Sequence, residues 1–219
     1  LRSIGEKLQV RHVVEGSVRK AGNRLRITVQ LVSVDDGFHV WSERYDREMD
    51  DVFAIQDDIA TTIAAKLQVT LTSAGIDRLI KPATENLHAY DEYLRGMALM
   101  HRRGIAILEA IESFGRAIAL DANYAPALAG LAHAQVLACF WGIVNPRDVR
   151  TSALDAASRA LAAGPEFVEA HVAAAMVAIG VEFDRTKAMR AWDRAIELGP
   201  TDVNARANRA VFHLCYVCG

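Results

Sequence analysis

Cysteine is scarce: three in 219 residues, too few for a disulfide framework. Cys139 stands alone and reads as a small core residue. Cys215 and Cys218 form a Cys-x-x-Cys with His213 nearby. No second ligand pair or strand–helix redox setting accompanies them, so they read as two apolar positions on a helix. A charge excess is missing too. The net charge is −2, with 11 basic and 12 acidic side chains in residues 1–80 and 14 and 15 in the rest. Phosphate binding needs a basic surplus that neither part has, so direct nucleic-acid contact is not expected.

Residues 122–146 contain no Asp, Glu, Lys or Arg, a run long enough to span a bilayer. It includes His133, Gln135 and Asn145, with Pro126 near its start, and the repeat frame described below runs through it. It therefore reads as a buried helix, and no membrane span is expected. No signal peptide is visible. Gly-rich phosphate loops, nucleophile elbows, zinc-binding HExxH and kinase signatures are absent; Gly16, Gly22 and Gly37 lack the spacing for such loops. His39 and Glu43 would share a strand face by alternation, with Asp46 near, but no nucleophile joins them. The acidic group Asp46, Glu48, Asp50, Asp51 lacks the ligand spacing and turn glycine of a calcium loop. It reads as a solvated helix start favoured by the helix dipole. No catalytic residue, cofactor or metal is expected.

What the chain has instead is a phrase that recurs three times: RAIALDA at 116–122, RALAAGP at 159–165 and RAIELGP at 194–200. The frame behind it reads Ala110-Phe114-Ala117-Ala122, Ala153-Ala157-Ala160-Pro165 and Ala188-Trp192-Ala195-Pro200. A second ruler, Ala98, Ala132, Ala175 and Ala210, has spacings of 34, 43 and 35, and the closing residues agree at 43 and 35. Two antiparallel helices can approach closely where such small residues face each other, and stacked pairs bury the apolar face that one pair leaves open. The nine extra residues of the second copy fall in LACFWGIVNPRDVR, with Asn145-Pro146 marking a turn.

The first segment is patterned differently. Residues 1–8 read as a helix with Leu1, Ile4 and Leu8 on one side. Strands are expected at about 12–19, 24–34 and 38–46, joined by turns at 20–23 and at Asp35-Asp36-Gly37. Leu25, Ile27, Val29 and Leu31 alternate with polar residues, as a half-buried strand requires. Asp50 or Asp51 then caps a helix to about residue 68, with Val52, Ile55, Ile59, Ile63 and Leu67 as the stripe that covers the sheet. The expected class is an α+β unit, a three-stranded antiparallel meander plus helices, over 1–80. A linker follows at 81–86, where Pro82 stops helix continuation. An all-α solenoid occupies 87–219, about 3.5 repeats with the insertion in the second.

Residues 10–67, above all EGSVRKAGNRLRIT and HVWSERYDREMDDVFAIQDDIA, resemble the second half of a TolB-like (FlgO-related) α/β domain. Residues 87–219 resemble tetratricopeptide repeats (TPR). His171 and Arg206 depart from the family's bulky fourth position, and Arg209 from its apolar seventh. In bacteria, TolB-like and TPR segments are joined to winged-helix regulators, serine/threonine kinases or class III adenylate/guanylate cyclases. The chain opens on Leu1 and stops at Gly219 partway through the frame, and so reads as a piece of a longer protein.

The resemblance implies a non-catalytic, protein-binding regulatory segment of a bacterial signalling protein. The alternative is the regulatory part of a cyclase or kinase whose catalytic domain lies upstream. It implies a protein or peptide partner, an upstream domain of the same chain included, and a cytoplasmic setting, or a periplasmic one if a membrane helix precedes. Its concave face would use Glu92, Arg95, Leu99 and Arg102; then Pro126, Ala129, His133 and Val136; then Glu169, Val172, Met176 and Ile179. Of these, Arg95, Leu99, Arg102, His133, Val172 and Met176 are the candidate partner-binding residues. The expected groove is basic at one end and apolar beyond.

Overall fold

The computed structural model describes residues 2–48, 52–66, 83–102 and 104–216. The chain divides into two compact units, Leu1–Pro82 and Ala83–Gly219.

The first unit begins with α1 (Arg2–Leu8), followed by β1 (His12–Ala21), β2 (Arg24–Ser33) and β3 (His39–Glu48) in the order β1-β2-β3, and then α2 (Val52–Lys66). Both strand pairs are antiparallel. The turns place Gly22 at φ 59° and Gly37 at φ 70°, a region where a side chain is strained. The Asp36 carboxylate accepts from the Phe38 amide at 3.0 Å and tightens the second turn.

Directly opposed residues share a face. Val18, Ile27 and Tyr45 therefore stand in one row, and Gly16, Val29 and Glu43 in the next. Ile55 of α2 is buried against this face with Val29 and Tyr45, and Ile27, Trp41 and Ile59 are packed around them. The expected α2 stripe thus covers β2 and β3, while Val14 and Val18 on β1 stay exposed. Leu67, Asp50 and Asp51 lie outside the described residues.

A bulge between Leu31 and Val32 puts Trp41 opposite Leu31 but His39 opposite Val32. The extra residue, Val40, reverses the alternation, so His39 and Glu43 lie on opposite faces. Asp46 is held by two arginines of β2. Arg26 donates to it at 2.8 Å and Arg24 at 2.9 Å, and these bonds hold its carboxyl below the ordinary carboxylate range.

The second unit is helical: α3 (Leu87–Arg102), α4 (Ala106–Leu120), α5 (Ala125–Phe140), α6 (Pro146–Ala163), α7 (Val168–Val177), α8 (Arg185–Leu198) and α9 (Val203–Tyr216). Successive helices are joined by short turns and pack on their chain neighbours; α5 also packs on α7. The repeat alanines form the contact: Ala110, Ala117, Ala153, Ala160, Ala188 and Ala195 are all fully buried, as are Phe114 and Trp192.

Phe114 of α4 sits between two glycines. A Cβ on Gly96 of α3 would come 2.7 Å from its ring, and one on Gly130 of α5 2.6 Å. These glycines, 34 positions apart, are what lets a phenylalanine fit between three helices. Among the described residues, the first and last helices of this unit hold exposed members of the repeat frame. Leu94 of α3 is 45% exposed, whereas Leu128, its counterpart on α5, is 1% exposed; Ala98 and Ala210, on the first and last helices, are exposed as well.

Helix ends follow from local chemistry. Asn86 accepts from the amides of His88 and Ala89 at the start of α3, while Thr84 donates to Asp121 at 2.6 Å beyond α4. Residues 84–86, expected as linker, thus bond within the helical unit. Asn145 caps α6 through the Arg147 amide, with Pro146 in the first turn. The extra length of the second copy lies in α6, 18 residues against 15 in α4 and 14 in α8, and in the turn Trp141–Asn145. After α7 the backbone widens into a π-helical turn, Ala178–Glu182, which ends at Phe183 with φ 60°. His171 Nε2 lies 2.8 Å from the Pro165 carbonyl, and Arg209 pairs with Asp193 of α8 at 2.9 Å. No helix among the described residues is long and apolar enough to cross a membrane.

Candidate functional site

Helices at alternate places in the chain line one groove of about 500 Å³. From α3 come Tyr93, Met97, Met100 and His101. From α5 come Pro126, Ala129, Gly130, His133 and Leu137, with Trp141 just past its end. Val168, Glu169 and Val172 follow from α7; Asp202, Asn204 and Asn208 come from the start of α9. Alternate helices touch one another, α3 with α5, α5 with α7 and α7 with α9, which is why residues some 35 positions apart meet here.

The structure brings His133 and Val172 together on this wall, with Pro126, Ala129 and Glu169. Leu99 and Met176 are buried in the core instead, each 6% exposed, Leu99 beside Phe114 and Met176 in the cluster around Trp192. Val136 and Ile179 are buried too. Arg95 and Arg102 are exposed on α3 but do not line the groove. Glu92 is engaged by Arg116 of α4 at 2.9 Å, which holds its carboxyl below the ordinary range.

The groove face of α3 runs through 93, 97, 100 and 101, on a different side of the helix from 92, 95, 99 and 102. At about 100° of rotation per residue, the two sets centre on nearly opposite sides of α3, which takes both arginines off the wall. The i, i+4, i+7, i+8 spacing of Tyr93, Met97, Met100 and His101 was a readable signal for this face. Asp202, Asn204 and Asn208 carry no such signal.

Chemically the groove is aromatic and sulfur-rich, with little charge. Tyr93 lies edge-on to Tyr124, with ring centroids 5.3 Å apart, and 6.0 Å from Phe114. Burial, helped by the negative charge of Glu169, pushes the Tyr93 phenol up to about 12. His133 keeps a partly exposed edge, yet its surroundings push its pKa down to about 4, so it is uncharged at neutral pH. The charged lining residues are Glu169 and Asp202; no Lys or Arg is present among the described residues that line it. The expected basic end is thus not part of this wall. Burial raises the Cys139 thiol. The Cys215 side chain and Cys218 lie outside the described residues. Among the described residues there is no group of three or more His, Cys, Asp or Glu that could hold a metal ion.

No protein-family model matches the chain. It is similar to a protein of Rhizobium meliloti (strain 1021) named "Putative adenylate cyclase 3", with 37% identity over 132 residues. The match covers 60% of this chain but only 22% of that protein's length.

Proposed function

We propose that the chain is a non-catalytic docking and regulatory segment of a signalling protein. In this reading its helical unit is a tetratricopeptide-type scaffold and its sheet unit is TolB-like. The groove carries the reading. Four leading helices contribute to one cleft of about 500 Å³, a shape suited to a peptide segment and furnished with adaptable Met and rigid aromatic side chains. The 34-residue spacing of the glycines around Phe114 and the buried alanine frame support the tetratricopeptide assignment. The runs at 10–67 quoted above support the TolB-like one.

The second reading makes the same segment the regulatory part of an enzyme, a cyclase or a kinase, with the catalytic domain elsewhere in a longer protein. The name of the R. meliloti relative favours a cyclase. Both readings give this chain the docking role and assign it no chemistry of its own; the enzyme reading places it in the cytoplasm, with the nucleotide substrates of a cyclase or kinase.

Panning a random peptide library on the 219-residue chain tests the docking role. Enriched peptides should slow amide exchange in α3, α5 and α7. Failure to enrich any sequence, or protection confined to residues 2–66, rejects it. Cyclase assay of the longer reading frame, with and without a selected peptide, separates the second reading from the first.

A further inference from the structure

The geometry points to a specific class of occupant: a peptide segment that sets Lys or Arg beside Leu, Met or aromatic anchors, rather than an acidic one. This rests on the docking reading above and adds the sign of charge.

The lining supplies the argument. Its charged groups are Glu169 and Asp202, and among the described residues that line it there is no Lys or Arg to offset them. The two are not equivalent. Asp202 accepts from the Ala205 amide at 2.7 Å and caps α9, so part of its charge is already used. Glu169 is exposed in the first turn of α7, with no ion pair among the described residues. The α7 dipole offsets some of its field, and what remains still reaches Tyr93 across the groove. A cation placed there meets the Glu169 carboxylate in a groove that Tyr93 also lines.

Alternate helices of an antiparallel stack run the same way. Glu169 and Asp202, at helix starts, therefore mark one end of the groove. Met100, Leu137 and Trp141, at or past later turns of α3 and α5, mark the other. An occupant is thus read in one direction, with its basic part at the starts of α7 and α9 and its apolar part at Met100, Leu137 and Trp141. An acidic segment would bring like charges together with no cation to relieve them.

Three fluorescein-labelled peptides, GSLRMLRWSG and its forms with Gln or Glu in place of both Arg, titrated into the 219-residue chain, test this. The Arg form should bind tightest and the Glu form weakest, with about a tenfold span at low salt that narrows as salt rises. Glu169→Lys should weaken the Arg form about three- to tenfold and narrow or reverse the order; thermal melting verifies that the variant is folded. A Glu form that binds as well as the Arg form, or an order unchanged in Glu169→Lys, overturns the inference and leaves docking intact. Binding by none of the three also overturns it, and the library panning then decides whether the groove docks peptides at all.

Discussion

Val18 on β1 is 66% exposed although it stands in a row with Ile27 and Tyr45, on the sheet face that α2 covers elsewhere. Trp192 on α8 is fully enclosed. The sheet unit has one described helix against this face, and that helix reaches β2 and β3 only. β1 is left with nearly every side chain in solvent and no partner strand, among the described residues, on its outer side. The helical unit packs each inner helix against its chain neighbours, and the exposed apolar side chains are at helix ends and turns, such as Phe140 and Phe183, or on the first and last helices, such as Leu94. Repetition lets a unit close its core with local contacts; a three-stranded meander with one covering helix leaves half a face uncovered.

That difference can be pressed experimentally. The largest effect belongs to Trp192→Ala, expected to cost about 3–5 kcal/mol in denaturant unfolding followed by helical circular dichroism; a cost under about 1 kcal/mol would mean that the α8 contact is not a core. Next is His133. Its folded pKa of about 4 lies below the ordinary 6.5, so between those values the unfolded chain binds more protons. Stability should therefore be full above pH 6.5 and fall as the pH drops toward 4, by about 1–3 kcal/mol. His133→Gln should flatten that slope, and an unchanged slope in the variant would assign it to other groups.

A paired test of the helix contact comes third. Gly96→Ala sets a Cβ against the Phe114 ring and should destabilise by about 1–2 kcal/mol despite alanine's better helix propensity. Gly115→Ala, on the open side of α4 where nothing lies within 4 Å, should stabilise by up to about 1 kcal/mol. Equal signs for the two would break the account of Phe114. Asp184→Ala removes the side chain that accepts from the Lys187 amide at 2.9 Å, and should cost about 1 kcal/mol. The smallest effect is expected at Val18→Thr, within about 0.5 kcal/mol; a loss above 1 kcal/mol would show that β1 is covered after all.

Much of this was legible along the chain. Within α4, α6 and α8 the alanine frame predicted which positions would be buried, since a residue on the contact line of a helix recurs at fixed offsets whatever its neighbours. The turns at Gly22 and Gly37 were equally plain, because few residues tolerate their backbone angles. Three features were not legible. The Val40 bulge separated His39 from Glu43 by a single unpaired residue, which alternation cannot register. The π-helical turn at Ala178–Glu182 carries no periodic mark. The rotation of α3 depends on how Gly96 and Gly130 seat Phe114, a matter of volume between three helices.

Spacing and composition alone determined the helical pairing, the meander and the burial of Phe114, Trp192 and the repeat alanines, because these follow from contacts between near neighbours in the chain. Only the assembled helices decided which side chains face the groove. Its walls come from segments as distant as Tyr93 and Asn208, and the rotation of α3 about its own axis decides whether its arginines or its methionines line the groove. The sign of the groove's charge is accordingly a property of packing, not of pattern.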